Sequence, residues 1–156
     1  MNKHHQVILI TGGSAGIGKA TGVYLQDLGF KVVGTSRNPN TYPDHPFPLF
    51  AMDLKDSDSI KQAVNNVMDV YARIDVLINN AGMGIAGPLE ELPRDAMQLL
   101  FETNVLGPIV AIQEVIPIMR KQGEGRIINI SSIAGYSGLP FRSVYSATKG
   151  LSLIHI

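Results

Sequence analysis

The chain contains no cysteine and no tryptophan. Without thiols it has neither a disulfide framework nor a thiolate zinc site. Histidine is sparse: His4, His5, His45 and His155 lie at the termini and in a proline-rich loop, lack metal-ligand spacing, and read as exposed polar residues. An excess charge of either sign is also missing, because 13 Lys and Arg balance 13 Asp and Glu. With no basic patch, nucleic acid is not an expected partner. Apolar runs stop at strand length, which argues against a membrane span and a membrane partner. Met1-Asn2-Lys3-His4-His5 leads directly into an apolar segment and leaves no room for a signal peptide. The 156 residues suffice for one domain with a sizeable core and are too few for two. A cytoplasmic, single-domain protein is the expectation.

What the chain does have is a glycine pattern that organises everything after it, Thr11-Gly12-Gly13-Ser14-Ala15-Gly16-Ile17-Gly18. It follows Gln6-Val7-Ile8-Leu9-Ile10, an apolar run that predicts a buried strand. A helical pattern comes next, with Ile17, Ala20, Tyr24, Leu25 and Leu28 expected on one apolar face. Glycine lets the chain turn sharply and lets a pyrophosphate approach the main chain. The free N–H groups of the helix's first turn then face that anion. A glycine-rich turn without a ligand is the plainer alternative. The flanking strand and helix favour a nucleotide site.

The rest of the chain repeats the alternation. Lys31 to Thr35 predicts a second strand, and its end carries Ser36 and Arg37 where an acidic residue would select a free ribose 2′-hydroxyl. The Arg37 guanidinium suits a 2′-phosphate, which favours NADP(H) over NAD(H). A solvated loop arginine is the alternative. Asn38 to Pro48 is a loop from which no chemistry is read. Leu49 to Met52 predicts a third strand, followed by Asp53 and Leu54 at the expected ligand crevice, where Asp53 meets adenine or merely forms a turn. Asp56 to Ser59 opens a helix whose stripe is Ile60, Val64, Val67, Met68 and Tyr71. Ile74 to Ile78 is a fourth strand leading into Asn79-Asn80-Ala81-Gly82, polar side chains that satisfy neighbouring backbone groups beside small residues that admit a ligand.

From Arg94 to Met119 runs a long helical pattern, with Pro108 expected at a break or in a first turn and Pro117 expected to kink it. Asn104 is a polar residue in this apolar stretch and needs partners, structural or functional. Gly125 to Ile130 is a fifth strand ending at Ser131-Ser132, Ala134 to Pro140 reads as loop, and a helix begins at Phe141. Tyr145 and Lys149 sit one turn apart on that helix. A phenol has an unperturbed pKa of about 10, and a neighbouring ammonium favours its phenolate. Such a pair serves proton transfer to a substrate oxygen, with Ser132 as a second donor, or is a plain surface contact. Five strand–helix units predict an α/β, doubly wound parallel sheet that delivers Gly12, Arg37, Asp53, Asn80 and Ser132 to one rim.

Taken in order, Thr11 to Gly18, Asn79 to Gly82, Asn104, Ser132 and Tyr145-Ser146-Ala147-Thr148-Lys149 resemble the single-domain branch of the short-chain dehydrogenase/reductase family over residues 5–150. The spacing from Ser132 to Tyr145 matches the family pattern. The resemblance implies a Rossmann-type fold and an NADP(H)-dependent oxidoreductase that interconverts a carbonyl and a secondary alcohol. It implies a catalytic tetrad of Asn104, Ser132, Tyr145 and Lys149, with Tyr145 as general acid/base and Ser132 positioning the substrate oxygen. Lys149 binds the nicotinamide ribose and lowers the tyrosine's pKa, and Asn104 holds a relay water. The cofactor would lie against Gly12, Ser14, Gly16, Ile17, Gly18, Arg37, Asp53, Leu54, Asn80, Ala81, Gly82, Tyr145 and Lys149. Gly138-Leu139-Pro140-Phe141 resembles members that act on lipophilic carbonyls. Members are often homo-oligomers. A nucleotide-sugar epimerase and a non-catalytic dinucleotide-binding protein are the competing readings.

Members also continue well past this chain's end, so the sheet is expected to be incomplete at the C-terminus, with Ile127, Ile128 and Ile130 losing cover. Residues 151–156 read Leu-Ser-Leu-Ile-His-Ile. CTG-TCT-CTT-ATA-CAC-ATC encodes them, a transposon end used in preparing sequencing libraries. A domain over 1–150 with a non-native tail at 151–156 is therefore expected, and the chain as written is expected to be poorly soluble or inactive.

Overall fold

Val7–Ile10 forms the central strand β1, and all four of its residues are buried, as suits an apolar segment covered on both faces. The computed structural model describes residues 5–152. Strands β2 (Lys31–Ser36), β3 (Leu49–Ala51), β4 (Val76–Asn79) and β5 (Arg126–Asn129) complete a sheet in the order β3-β2-β1-β4-β5. Every pairing is parallel. The chain winds outward from β1 to β3 and then crosses to the other side of β1, so strand order reverses between β1 and β4. In open parallel sheets that reversal opens a ligand crevice at the strands' carboxyl ends.

The helices are α1 (Gly16–Asp27), α2 (Ser57–Tyr71), α3 (Arg94–Phe101), α4 (Gly107–Gln122), α5 (Ile133–Tyr136) and α6 (Ser143–Leu151). Alternation along the strands divides the interior in two. Val7, Leu9, Val33 and Leu77 pack with Ile60, Val64 and Val67 of α2 and with Ala111, Val115 and Met119 of α4. Ile8, Ile10, Val32 and Ile78 pack with Phe47 and with Val23 and Leu25 of α1. At the start of α2 the Asp56 carboxylate accepts from Asp58 N and Ser59 N, the N-cap its sequence predicts.

Only part of the apolar face expected for α1 packs: Leu25 joins a core. Ile17, Tyr24 and Leu28 are 67%, 64% and 44% exposed, whereas Gly18 and Gly22 are the buried residues of the helix. Missing side chains let α1 lie close to the sheet. A Cβ on Gly22 would stand 2.3 Å from Phe47 Cζ. The ring comes from the 38–48 loop and fills the space that the helix leaves open. His45 of the same loop is half-buried rather than exposed. Its ring makes edge contacts with Tyr42 and Phe47, and its Nδ1 hydrogen-bonds Phe47 O at 2.9 Å. His5 is exposed, and His4 and His155 lie outside the described residues.

From Arg94 to Gln122 the helix is continuous, with a π-helical turn at Glu102–Leu106 between α3 and α4. Pro108 directly follows the π-helical turn, at the second residue of α4, and Pro117 lies inside the helix. By length and composition this element is apolar enough to cross a membrane, a property that its interrupted apolar runs conceal. It carries Leu100, Val105, Ala111, Val115 and Met119 into the interior. The segment after β5 is not all loop, since α5 forms with the Ser132 hydroxyl accepting from Ala134 N. Helix α6 begins at Ser143 rather than Phe141, because Phe141 adopts a left-handed backbone (φ 60°). Of the three isoleucines expected to lose cover, Ile128 is exposed, while Ile127 and Ile130 each pack against a core.

Candidate functional site

The turn after β1 is held by a side chain 69 residues from Thr11 in sequence. Asn80 Nδ2 donates to Thr11 O at 2.9 Å and to Gly12 O at 3.1 Å. In return the Thr11 hydroxyl accepts from Asn80 N at 3.1 Å and Ala81 N at 3.0 Å. Gly12 has a φ of +64°, and a Cβ there would stand 2.9 Å from Ala81 Cβ, so only glycine satisfies both backbone and space. Gly18 is equally constrained. Its Cβ would fall 2.3 Å from Gly12 O and 2.5 Å from Asn80 Nδ2. Helix α1 then begins with Ala15 as N-cap, no side-chain cap and no acidic residue in its first turn. Its first N–H groups are thus left for an external anion.

These N–H groups open on a cleft of about 580 Å³. Gly12, Ser14 and Gly16 line it on one side, Ser36, Arg37, Asp53 and Leu54 on another, and Asn80, Ala81 and Gly82 on a third. Among the predicted contacts Gly18 is absent from this lining, since it packs behind the loop. Asp53 is partly engaged, because its Oδ1 accepts from Lys55 N at 3.0 Å and its Oδ2 lies 3.7 Å from Lys55 Nζ. Arg37 has no ion-pair partner among the described residues.

A second cleft of about 450 Å³ shares Asn80, Gly82 and Met83 with the first and is lined by Ile17, Ser132, Tyr145 and Lys149. Lys149 is 7% exposed. Burial pulls its ammonium below the ordinary lysine value. Its Nζ donates to Ile130 O at 3.0 Å, and its main-chain carbonyl accepts from the Ser131 hydroxyl at 2.9 Å. Asn104 lines neither cleft. From the π-helical turn its Nδ2 donates to Met83 O at 2.8 Å and Thr148 Oγ1 at 3.1 Å, and its Oδ1 accepts from Met83 N at 2.9 Å. It therefore ties the loop after β4 to α6, the helix that carries Tyr145 and Lys149.

Among the lining groups that the sequence does not announce, three bear polar chemistry on long side chains. Tyr42, from the loop read as mute, borders the first cleft with Lys55. Arg142 borders the second, its guanidinium carbon 5.9 Å from the centroid of the Tyr145 ring. Its position three residues before Tyr145, hence on the same side of the helix start, is the signal that was available.

A protein-family model described as short chain dehydrogenase matches residues 6–152. The chain belongs to the short-chain dehydrogenase family. It is 44% identical over 144 residues to a 3-ketodihydrosphingosine reductase of Bacteroides thetaiotaomicron, covering 92% of this chain and 53% of that protein. It is 37% identical over 158 residues to 17-beta-hydroxysteroid dehydrogenase type 1 of Homo sapiens, covering 92% and 48%. This short-chain dehydrogenase chain thus spans about half the length of the curated relatives it matches. Among solved structures it resembles a short-chain dehydrogenase from Streptomyces avermitilis, with a TM-score of 0.88, 34% identity, and 97% and 58% of the two chains covered. A metagenomic short-chain oxidoreductase in complex with NADP matches with a TM-score of 0.87 and 34% identity, covering 96% and 73%. An NAD+-bound xylitol dehydrogenase matches with a TM-score of 0.86 and 27% identity, covering 97% and 62%.

Proposed function

We propose that the protein is an NADP(H)-dependent oxidoreductase that interconverts a carbonyl and a secondary alcohol on a small molecule. The observation that carries this reading is the joined pair of clefts. One has the uncapped start of α1, and the other has Ser132, Tyr145 and Lys149 in its wall. The first cleft fits a dinucleotide. Its glycine turn excludes a Cβ at Gly12, its helix end takes phosphate, and Arg37 beside Ser36, without an ion-pair partner among the described residues, suits a 2′-phosphate. Leu54, Ala81 and Gly82 offer it apolar and small-residue walls, and Ile17, Tyr145 and Lys149 of the adjoining cleft would hold its reactive end. When bound, the cofactor gives or takes a hydride.

The protein's own groups handle the proton. In reduction the Tyr145 hydroxyl donates to the carbonyl oxygen, and in oxidation its phenolate takes the proton from the alcohol. The Ser132 oxygen already accepts from Ala134 N, which leaves its O–H to donate to the same substrate oxygen. The Lys149 ammonium favours the phenolate, and its burial eases release of its own proton. Asn104 positions this helix and retains one Oδ1 lone pair for a relay water. A cavity of about 10 Å³ between Asn79, Asn104, Asn129, Lys149 and Ser152 has the size of a single water.

The test is Tyr145→Phe in the protein expressed from its complete reading frame. Loss of general acid/base catalysis should lower ketone-dependent NADPH oxidation by about 10²- to 10⁴-fold. NADPH binding, read by nicotinamide fluorescence, should stay unchanged. Undiminished turnover in the variant, or no NADPH binding by the wild type, would refute the reading.

A further inference from the structure

We propose that Arg142 selects substrates that carry an anionic group close to the reacting carbonyl. The inference rests on the oxidoreductase reading for where the carbonyl sits, and on independent observations for the charge. Arg142, Tyr145 and the backbone of Gly84 form one wall of the second cleft. A Cβ on Gly84 would meet Arg142 Nη1 at 3.3 Å and Tyr145 Cδ2 and Cε2 at 3.9 Å. The guanidinium therefore lies beside the ring whose hydroxyl addresses the substrate oxygen.

Nothing in the described protein neutralises it. No aspartate or glutamate lines this cleft, and Arg142 has no ion-pair partner among the described residues, in contrast to Arg73 with Asp75 and Glu124. The other cation of the cleft, Lys149, is buried and bonded to Ile130 O. Arg142 is exposed and is thus the positive group that an entering molecule meets. Low-dielectric walls focus such a field.

Two other uses of this arginine fit less well. At 5.9 Å its attraction to the tyrosine ring is at the outer limit of a cation–π contact, and stacking leaves the N–H donors free. It does not line the first cleft, where the helix start and Arg37 receive phosphate. A planar fork of free donors fits a carboxylate or phosphate bidentately. Met83 and Leu139, 36% and 42% exposed, line the same cleft and suit an apolar remainder. The substrate class is accordingly an oxo acid, or an oxo compound with a phosphate, on a partly apolar skeleton.

The experiment uses the protein expressed from its complete reading frame, with 5-oxohexanoate, its methyl ester and an equally long trimethylammonium ketone as substrates. A charge-assisted pair predicts a kcat/KM about tenfold higher for the carboxylate than for the ester. Arg142→Gln should erase that preference, Arg142→Lys should keep part of it, and Arg142→Glu should turn it toward the ammonium ketone. NADPH binding should be unchanged in all three variants. Octanoate and octanamide, titrated into the NADPH complex by nicotinamide fluorescence, test the same point without turnover. Octanoate should bind about tenfold more weakly to Arg142→Gln, and octanamide equally to both proteins. Equal handling of charged and neutral probes by the wild type overturns the proposal, as does loss of NADPH binding in Arg142→Gln. If no ketone is reduced while octanoate binding still depends on Arg142, the oxidoreductase reading fails and the anion site stands.

Discussion

Gly18→Ala sets two opposed effects against each other, and the structure decides between them. In a helix, alanine is favoured over glycine by about 0.8–1.0 kcal/mol, so propensity alone predicts a more stable protein. At Gly18, however, the new methyl carbon would stand 2.3 Å from Gly12 O and 2.5 Å from Asn80 Nδ2. Carbon and oxygen approach to about 3.3 Å at closest, so the helix or the glycine turn must move by roughly 1 Å. Overpacking of this kind costs about 1–3 kcal/mol. The movement also strains the Asn80 hydrogen bonds to Thr11 O and Gly12 O, each contributing about 1 kcal/mol. The net expectation is a loss of about 1–3 kcal/mol, or a fall in Tm of roughly 2–12 °C for a domain of this size. NADPH binding should weaken with it, because the displaced segment starts the phosphate-facing helix. Thermal melts of the variant beside Gly138→Ala measure this, since nothing lies within 4 Å of a Cβ at Gly138, and that control should melt like the wild type. A Gly18→Ala protein at least as stable as the wild type would refute the reasoning.

Asp75 supplies a pH test. Burial raises its carboxyl's pKa, but hydrogen bonds from Arg73 and from Val7 N, with the Arg73 charge, outweigh this and hold it below the ordinary aspartate value. A depressed folded-state pKa means stabilisation that is complete above the unfolded value of about 3.9 and is lost as pH falls through the folded value. Asp75→Asn should therefore cost about 1.5–3 kcal/mol at neutral pH and flatten the dependence of Tm on pH below about 4; identical slopes for the two proteins would contradict the assignment. Arg37→Ser should weaken NADPH binding about tenfold while leaving NADH binding unchanged, as loss of one charge-assisted pair predicts. Titration of both cofactors by fluorescence checks it, and equal loss for both would remove Arg37 from the 2′-phosphate.

Much of the fold was legible because its signals are local. Each strand is a short apolar run, and Asp56 announces the start of α2 through an N-cap that needs only its own three successors. The alternation of strands and helices then leaves few topologies, and the parallel order with its reversal beside β1 follows from right-handed crossovers. Most of the apolar face expected for α1 lies in solvent for a physical reason. Hydrophobic periodicity assumes that side chains do the packing, whereas here Gly18 and Gly22 pack by having none, against Asn80 and Phe47 from distant segments. Likewise Pro108 marks a place where a helix can stop, yet a π-helical turn carries it through.

The candidate site divides along the same line. Sequence alone determined which residue types arrive at the strand ends, because parallel strands carry their carboxyl ends to one rim whatever lies between. That includes the glycine turn, Arg37, Asp53, Asn80 and Ser132, whereas the Tyr145–Lys149 pair comes from α6. Tertiary structure decided what each does with its neighbours. It spent the side chain of Asn104 on tying Met83 to Thr148, turned Gly18 into a contact surface, and set the Arg142 guanidinium beside the Tyr145 ring. Helical and strand periods are written over a few residues, whereas these contacts join segments separated by tens of residues and exist only once the sheet has closed the distance between them.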